Sequence, residues 1–154
     1  MPAGVEEIIS AYPRALIDHD NLPFYRGLLD RSYFIWRCQA CGRWYVPPRS
    51  FCPRCWSDDV APTAVSGAGT LFMWTLVRQP AMRWNILGTR PREPSWVITG
   101  ELVEQLGLRV TLTAATAPLT PPRIGTPLRM TWSDLDGVPY PVFALDVDAR
   151  AQER

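Results

Sequence analysis

The amino-acid sequence predicts a mainly β protein with N-terminal helices, in which a rubredoxin-like zinc ribbon is followed by a five-stranded OB-fold barrel. Three observations predict this fold. All four cysteines lie between positions 38 and 55, as two C-x-x-C pairs. Five short apolar runs with glycine and proline turns follow them. The 16 prolines favour short strands over long helices. We expect a helical segment at 1–34, the ribbon at 35–62 and the barrel at 63–150.

The composition limits the class of protein. A hydrophobic fraction of 47% is typical of a globular chain, and no apolar run approaches the roughly 18 residues that cross a membrane. The N-terminus lacks the pattern of a signal peptide, so we expect a cytoplasmic protein. The formal net charge of +1 does not favour a general nucleic-acid binder, which usually has a basic excess on one face.

Groups suited to catalysis are scarce in this sequence. Every basic residue is an arginine, so no lysine is available as a base or for a Schiff base. His19 is the only histidine, which leaves nucleophile chemistry with a histidine base poorly supplied. Glu101 and Glu104 are ordinary carboxylates for a solvated strand end. We therefore predict no catalytic residue in this chain.

Two short helices are predicted before the cysteines, over 4–11 and about 22–31. Pro23 suits the first turn of the second helix. Phe24, Tyr25 and Leu28 share one face of it, because residues three and four positions apart are neighbours on a helix. This face either packs inside the chain or binds another protein, and we assign Phe24, Tyr25 and Leu28 as the partner-binding residues.

The cysteine pairs predict a metal site with the ligands Cys38, Cys41, Cys52 and Cys55. Zinc suits four thiolates in a tetrahedron, and iron in a rubredoxin-like site would use the same ligands. Two disulfides would suit a secreted chain, and a redox pair would need only one C-x-x-C. Four thiolates leave no open position for a substrate, so the metal is predicted to be structural.

Strands are predicted on both sides of the first pair, over 33–37 and 43–46. Such a small module buries little apolar surface, so the metal is expected to supply much of its stability. We expect the tryptophans of this region to pack around the sulfurs: Trp36, Trp44 and Trp56. Gly42 follows the first pair, where positive φ is common. Trp56 stands at the same place after the second pair, so a different turn is expected there.

A polar bridge over 57–66 precedes the predicted barrel. The S-G-A-G-T stretch at 66–70 is followed by a strand rather than by a helix, which favours a bend or bulge over a phosphate loop. The five predicted strands cover 71–77, 96–103, 109–116, 127–132 and 140–147. Gly/Pro turns between short strands are typical of a small barrel such as an OB-fold.

A long irregular segment over 78–95 separates the first two predicted barrel strands. It contains four arginines and a tryptophan that could bind a nucleotide-like group, because guanidinium groups bind phosphate and an indole stacks on a base. These candidate CoA-contacting residues are Arg78, Arg83, Trp84, Arg90 and Arg92. A solvated loop, charged for solubility, explains the same residues equally well.

Ordered motifs along the chain resemble the zinc-ribbon/OB-fold proteins associated with acyl-CoA metabolism. The motifs are L-P-F-Y-R-G-L-L (22–29), C-Q-A-C-G (38–42), P-P-R (47–49), C-P-R-C (52–55), S-G-A-G-T (66–70), R-I-G-T-P-L (123–128) and L-D-G-V-P-Y-P-V-F (135–143). The family usually has tryptophan in place of Tyr25 and often glycine in place of Trp56.

The resemblance implies a non-catalytic companion of thiolase-fold enzymes, such as thiolases, retro-aldolases and acyltransferases, or of enoyl-CoA hydratases. Such a subunit would brace the partner's active site and help to shape its CoA entrance, where a CoA thioester would be shared. The alternative is a module that binds single-stranded nucleic acid, for which ribbons and OB-folds are also used. An independent enzyme is the third hypothesis, and the scarcity of catalytic groups opposes it.

Overall fold

The computed structural model describes residues 4–78, 94–118 and 120–146. The elements are two α-helices, α1 (Val5–Ala11) and α2 (Leu22–Leu29), and eight β-strands: β1 (Phe34–Cys38), β2 (Trp44–Tyr45), β3 (Val60–Ala64), β4 (Ala68–Val77), β5 (Ser95–Leu102), β6 (Arg109–Ala114), β7 (Pro127–Leu135) and β8 (Val138–Leu145). Neither helix is long and apolar enough to span a membrane within these described ranges.

The strands form a small open sheet and a closed barrel. The open sheet has the order β2-β1-β3 and is antiparallel throughout. The barrel has the order β4-β5-β6-β8-β7. Its pairs are antiparallel except for a short parallel pairing of β6 with β8. The predicted class, mainly β with a ribbon and a five-stranded barrel, is therefore confirmed.

Strand β3 lies where the sequence indicated only a polar bridge. It pairs with β1 over its full length, and Pro62 stands opposite Trp36. Proline has no N–H to donate, so it is tolerated in a strand mainly at a sheet edge, and β3 is an edge strand. The ribbon sheet thus extends to Ala64, past the expected limit at 62, and the three domain ranges stay a prediction.

The N-terminal helices pack on the rest of the chain. Ile8, Tyr12 and Leu28 form a fully buried cluster, against which Trp132 and Val138 of the β7–β8 hairpin pack. The Tyr12 hydroxyl donates to the carbonyl oxygen of Pro139 at 3.2 Å. Burial and the neighbouring Tyr25 raise the pKa of Tyr12 to about 12, so this hydroxyl keeps its proton over the ordinary pH range.

One apolar core joins the barrel to the ribbon. Its buried members come mostly from the barrel strands, and Ile35 of β1 belongs to the same cluster. The barrel residues in it are Leu71, Ile98, Leu102, Leu108, Val110, Leu128 and Phe143. Burial of the Ile35 side chain stabilises the contact between ribbon and barrel by about 1.5–3 kcal/mol. The ribbon is therefore packed into the barrel rather than attached by a free linker.

Two glycines explain the S-G-A-G-T stretch that precedes β4. Gly67 has a φ of +75°, which bends the chain into the barrel. Gly69 pairs with Leu102, and a Cβ atom on Gly69 would collide with the backbone carbonyl oxygen of Glu101. The bend agrees with the bend or bulge that the sequence indicated, and the close approach of the two strands was not predicted.

Replacing Gly69 by alanine is expected to lower the free energy of unfolding by about 1–3 kcal/mol. The colliding atom belongs to the backbone of β5, so the strands must separate to admit the methyl group. Thr70→Ala is the matched control, because Thr70 is the exposed neighbour on the same strand. Denaturant unfolding measures both, and equal stability of the two variants would contradict the close approach.

Candidate metal centre

The four cysteines lie together as a cluster of thiol ligands. Their Sγ atoms all lie within 4.8 Å of one another. Cys38 Sγ is 3.6 Å from Cys55 Sγ, and Cys41 Sγ is 3.6 Å from Cys52 Sγ. A tetrahedral zinc site with Zn–S bonds of about 2.3 Å has edges of about 3.8 Å. The donor set and its spacing therefore fit zinc, as the sequence predicted.

The two C-x-x-C turns have nearly the same backbone geometry. Gly42 N–H donates to the Cys38 carbonyl at 2.9 Å, and Trp56 N–H donates to the Cys52 carbonyl at 3.0 Å. Backbone N–H groups also point at the sulfurs, from Cys41 to Cys38 Sγ at 3.5 Å and from Arg54 to Cys52 Sγ at 3.4 Å. Such bonds favour the thiolate form that binds metal.

The thiols of the second turn have opposite pKa shifts. Burial opposes ionisation of Cys52, but hydrogen bonds from the backbone of Cys55 and Arg54 and from neighbouring thiols lower its pKa to about 6. The backbone of Ser57 favours the Cys55 thiolate, yet desolvation and the neighbouring sulfurs raise the pKa of Cys55 to about 12. Four sulfurs so close cannot all ionise without a cation, and a divalent metal supplies that charge.

The surroundings of the sulfurs are only partly those expected. Trp36 and Tyr45 pack with the buried Cys38 and Cys52 in one cluster. Trp44 instead packs against the barrel core. Trp56 points away from the cluster and is 79% exposed. The expectation that all three tryptophans surround the sulfurs is therefore correct only for Trp36. Trp44 and Tyr45 are successive residues of β2, so their side chains point to opposite faces, and Tyr45 takes the face of the sulfurs.

Trp56 has a left-handed backbone with a φ of +61°, close to the φ of +72° at Gly42. The expectation of a different second turn was wrong, since both turns place a positive φ after the second cysteine. The left-handed region costs a residue with a Cβ atom roughly 1–2 kcal/mol. Glycine, which has no Cβ atom, would avoid this cost at position 56.

Gln105 joins the metal ribbon to the barrel, and no sequence signal singled it out. Its side-chain oxygen accepts from Trp44 N–H at 3.0 Å, and its side-chain nitrogen donates to the Trp44 carbonyl at 3.1 Å. Trp44 lies on β2, an edge strand of the ribbon sheet. The amide thus takes the place of a neighbouring strand and satisfies both backbone groups of that edge.

The helix face predicted to bind a partner is partly internal. Leu28 is completely buried, so its side chain is core rather than surface, in contrast to its assigned role. Phe24 and Tyr25 are partly buried, with ring centroids 5.3 Å apart. Phe24 contacts both the ribbon cluster and the helix cluster. Only the exposed parts of Phe24 and Tyr25 are available to another protein.

Arg78 is the one candidate for CoA contact that lies within the described residues. Arg78 is exposed at the end of β4, and the other four residues assigned to CoA contact lie outside the described residues: Arg83, Trp84, Arg90 and Arg92. Glu101 is 3.2 Å from Arg109 in an ion pair, and Glu104 accepts from Ser66 N–H at 2.6 Å. Both carboxylates therefore have structural partners.

Replacing Cys38 and Cys41 by serine is expected to remove the metal and unfold the ribbon, because structural zinc contributes on the order of 10 kcal/mol of binding free energy. Metal content and thermal unfolding measure the two effects. Gln39→Ser is the control, since Gln39 lies in the same turn and is not a ligand. A doubly substituted protein that folds normally without metal would contradict a structural role.

Substitutions after the two cysteine pairs should change stability in opposite directions. Trp56→Gly is expected to raise the free energy of unfolding by about 0.5–1 kcal/mol, because relief of the left-handed strain exceeds the entropic cost of glycine. Gly42→Ala, at the matching position, should lower it by about 1 kcal/mol. Denaturant unfolding of the metal-loaded proteins measures both, and two changes of the same sign would refute the shared geometry.

Known proteins resemble both the metal ribbon and a longer part of the chain. A family model described as "ChsH2, rubredoxin-like zinc ribbon domain" matches residues 35–61, which hold all four cysteines. The chain is also 31% identical over 68 residues to a probable enoyl-CoA hydratase alpha subunit of Thermomonospora curvata. That match covers 44% of this chain and 21% of the relative, so the chain spans about a fifth of the relative's length.

Solved structures share the whole arrangement of ribbon and barrel. A chain of the Ltp2-ChsH2(DUF35) aldolase superposes with a TM-score of 0.73 and 26% identity, over 87% of this chain and 100% of that chain. A DUF35-family protein of unknown function from Sulfolobus solfataricus shares the fold with a TM-score of 0.55 and 15% identity, over 92% and 96% of the two chains. The resemblance to zinc-ribbon/OB-fold proteins that the sequence motifs indicated is therefore confirmed.

Proposed function

We propose that this chain is a non-catalytic accessory subunit of an acyl-CoA-processing enzyme of the thiolase or hydratase type. The observation that carries the proposal is the likeness, over 87% of this chain, to a complete chain of the Ltp2-ChsH2(DUF35) aldolase. The partial match to a probable enoyl-CoA hydratase alpha subunit supports the same class of chemistry. The partner enzyme would be a thiolase, a retro-aldolase or an acyltransferase.

The chemistry of the metal site supports an accessory role. Four thiolates would occupy all four coordination positions of a tetrahedral zinc ion, so no position is left to polarise a substrate or activate water. When bound, zinc would hold the two cysteine turns together. The protein groups around it, such as Trp36 and Tyr45, are packed side chains without an acid–base function at neutral pH. We therefore assign the catalytic groups to the partner subunit.

An aromatic hollow between α2 and the ribbon is a concave apolar surface suited to this partner. It has a volume of about 230 Å³, and six of its ten lining residues are aromatic. The rings belong to Phe24, Tyr25, Tyr33, Phe34, Trp36 and Tyr45. Interfaces draw much of their binding energy from an apolar side chain that fills such a desolvated pocket. We propose that one apolar side chain of the partner occupies this hollow.

The arginines of the 78–92 segment are proposed to contact the CoA thioester. A shared active site would bring the CoA phosphates close to arginines of the 78–92 segment. Guanidinium groups suit that ligand because they bind phosphate oxygens in pairs. Arg78 is exposed and therefore available to a ligand.

Co-purification from native cells is the test of the accessory role. The tagged chain is expected to capture one enzyme subunit of the thiolase fold or the hydratase class in stoichiometric amount, identified by mass spectrometry. Val46→Asp is expected to reduce the captured subunit at least tenfold, because Val46 lines the hollow, is 54% exposed and would place a charge against an apolar side chain.

Ile124→Asp is the matched control, since Ile124 is a comparably exposed apolar residue that does not line the hollow. Both variants should unfold within about 0.5 kcal/mol of the wild type, as surface substitutions usually do. Equal capture by Val46→Asp and Ile124→Asp would refute the hollow as the interface. A chain that co-purifies with nucleic acid and with no such enzyme would refute the accessory role itself.

A further inference from the structure

A second cavity lies where the metal ribbon meets the barrel. It has a volume of about 340 Å³ and is lined by β2 and the two segments that flank it, by Pro53 of the second cysteine turn, and by the segment that leads into β6. Three arginines line it: Arg43 and Arg49 from the ribbon, and Arg109 from the first position of β6. The barrel and the ribbon each supply one part of this arginine cavity.

The arginine cavity carries uncompensated positive charge. No carboxylate is among the described residues that line it. Arg43 and Arg49 form no ion pair within the described ranges. Arg109 donates its Nε–H to Glu101 at 3.2 Å, and its guanidinium carbon lies 3.5 Å from the centre of the Phe72 ring. Arg109 is therefore held in place, and its two terminal nitrogens form no hydrogen bond to the residues that the structure describes.

The walls of this cavity are held by hydrogen bonds, both between the ribbon and the barrel and within the ribbon. Gln105 holds the backbone of Trp44 through two bonds, which sets the distance between the barrel wall and the ribbon wall. The Tyr45 hydroxyl donates to the Arg49 carbonyl at 3.2 Å, which holds the segment that carries Arg49. A preorganised site loses less entropy when a ligand binds, so these bonds favour binding.

We propose that the arginine cavity binds the phosphate group of a small phosphate ester. Guanidinium groups donate paired hydrogen bonds to phosphate oxygens, and three arginines line one concave space. The volume falls within the range of small-molecule sites. Apolar groups of Val46, Pro53 and Leu108 also line the cavity and would contact the organic part of the ester.

This site does not require the partner enzyme, so the isolated full-length chain is the material for the test. Calorimetric titrations with inorganic diphosphate, adenosine 3′,5′-bisphosphate and CoA separate the phosphate from the molecule that carries it. At least one phosphate compound is expected to bind with a Kd below about 1 mM. Similar affinities for all three would assign recognition to the phosphate alone, whereas tighter binding of CoA or the bisphosphate would add contacts to the nucleotide.

The double variant Arg43→Gln/Arg49→Gln is expected to weaken binding at least tenfold, because it removes two charged donors. Arg54→Gln is the matched control: Arg54 is an exposed ribbon arginine that does not line the cavity, and its variant should keep wild-type affinity. Thermal unfolding confirms that all variants fold. The absence of binding by all three compounds, or equal binding by the double variant and the control, would overturn the site. Either failure would leave the accessory role intact, because co-purification tests that role separately.

Discussion

The four sulfur atoms are the constraint on which the ribbon depends. Three strands of two to five residues cannot hold themselves together, because they bury too little surface to offset their conformational entropy. The cysteine cluster links the turn before β2 to the turn after it, because Cys38 and Cys41 precede β2 and Cys52 and Cys55 follow it. Two turns with the same backbone hydrogen bonds direct the sulfurs to one point. The left-handed Trp56 shows that this geometry is kept even where the residue is unfavourable.

The ribbon and the barrel are locked to each other by two different interactions. Ile35 places a ribbon side chain in the barrel core, which is an apolar contact without direction. Gln105 adds direction, because its amide pairs with both backbone groups of Trp44 on the ribbon edge. Together they set the position of one sheet relative to the other. Surface features that draw on both parts, such as the arginine cavity, therefore have a defined shape.

A closed metal site and two preformed concave surfaces suggest how the chain contributes to its proposed function. The metal stabilises the ribbon and takes no substrate, since its four positions are filled by protein. The ribbon in turn supplies walls to the aromatic hollow and to the arginine cavity, and Tyr45 and Val46 line both. One surface is suited to an apolar protein group and the other to an anionic small molecule. A subunit of this kind acts through the positions of its surfaces rather than through bond-making groups.

The sequence by itself determined the metal ligands, the fold class and most of the barrel strands, because C-x-x-C spacing, apolar runs and glycine turns are local signals. It did not reveal β3, because Pro62 is compatible with a strand mainly at the edge of a sheet. That β3 is such an edge strand follows only from its pairing with β1 in the tertiary structure. The tertiary structure alone decided that Leu28 is buried, that Trp56 is exposed and that Gln105 binds the ribbon edge. Those outcomes depend on contacts between distant residues, such as Trp44 and Gln105, which are 61 positions apart.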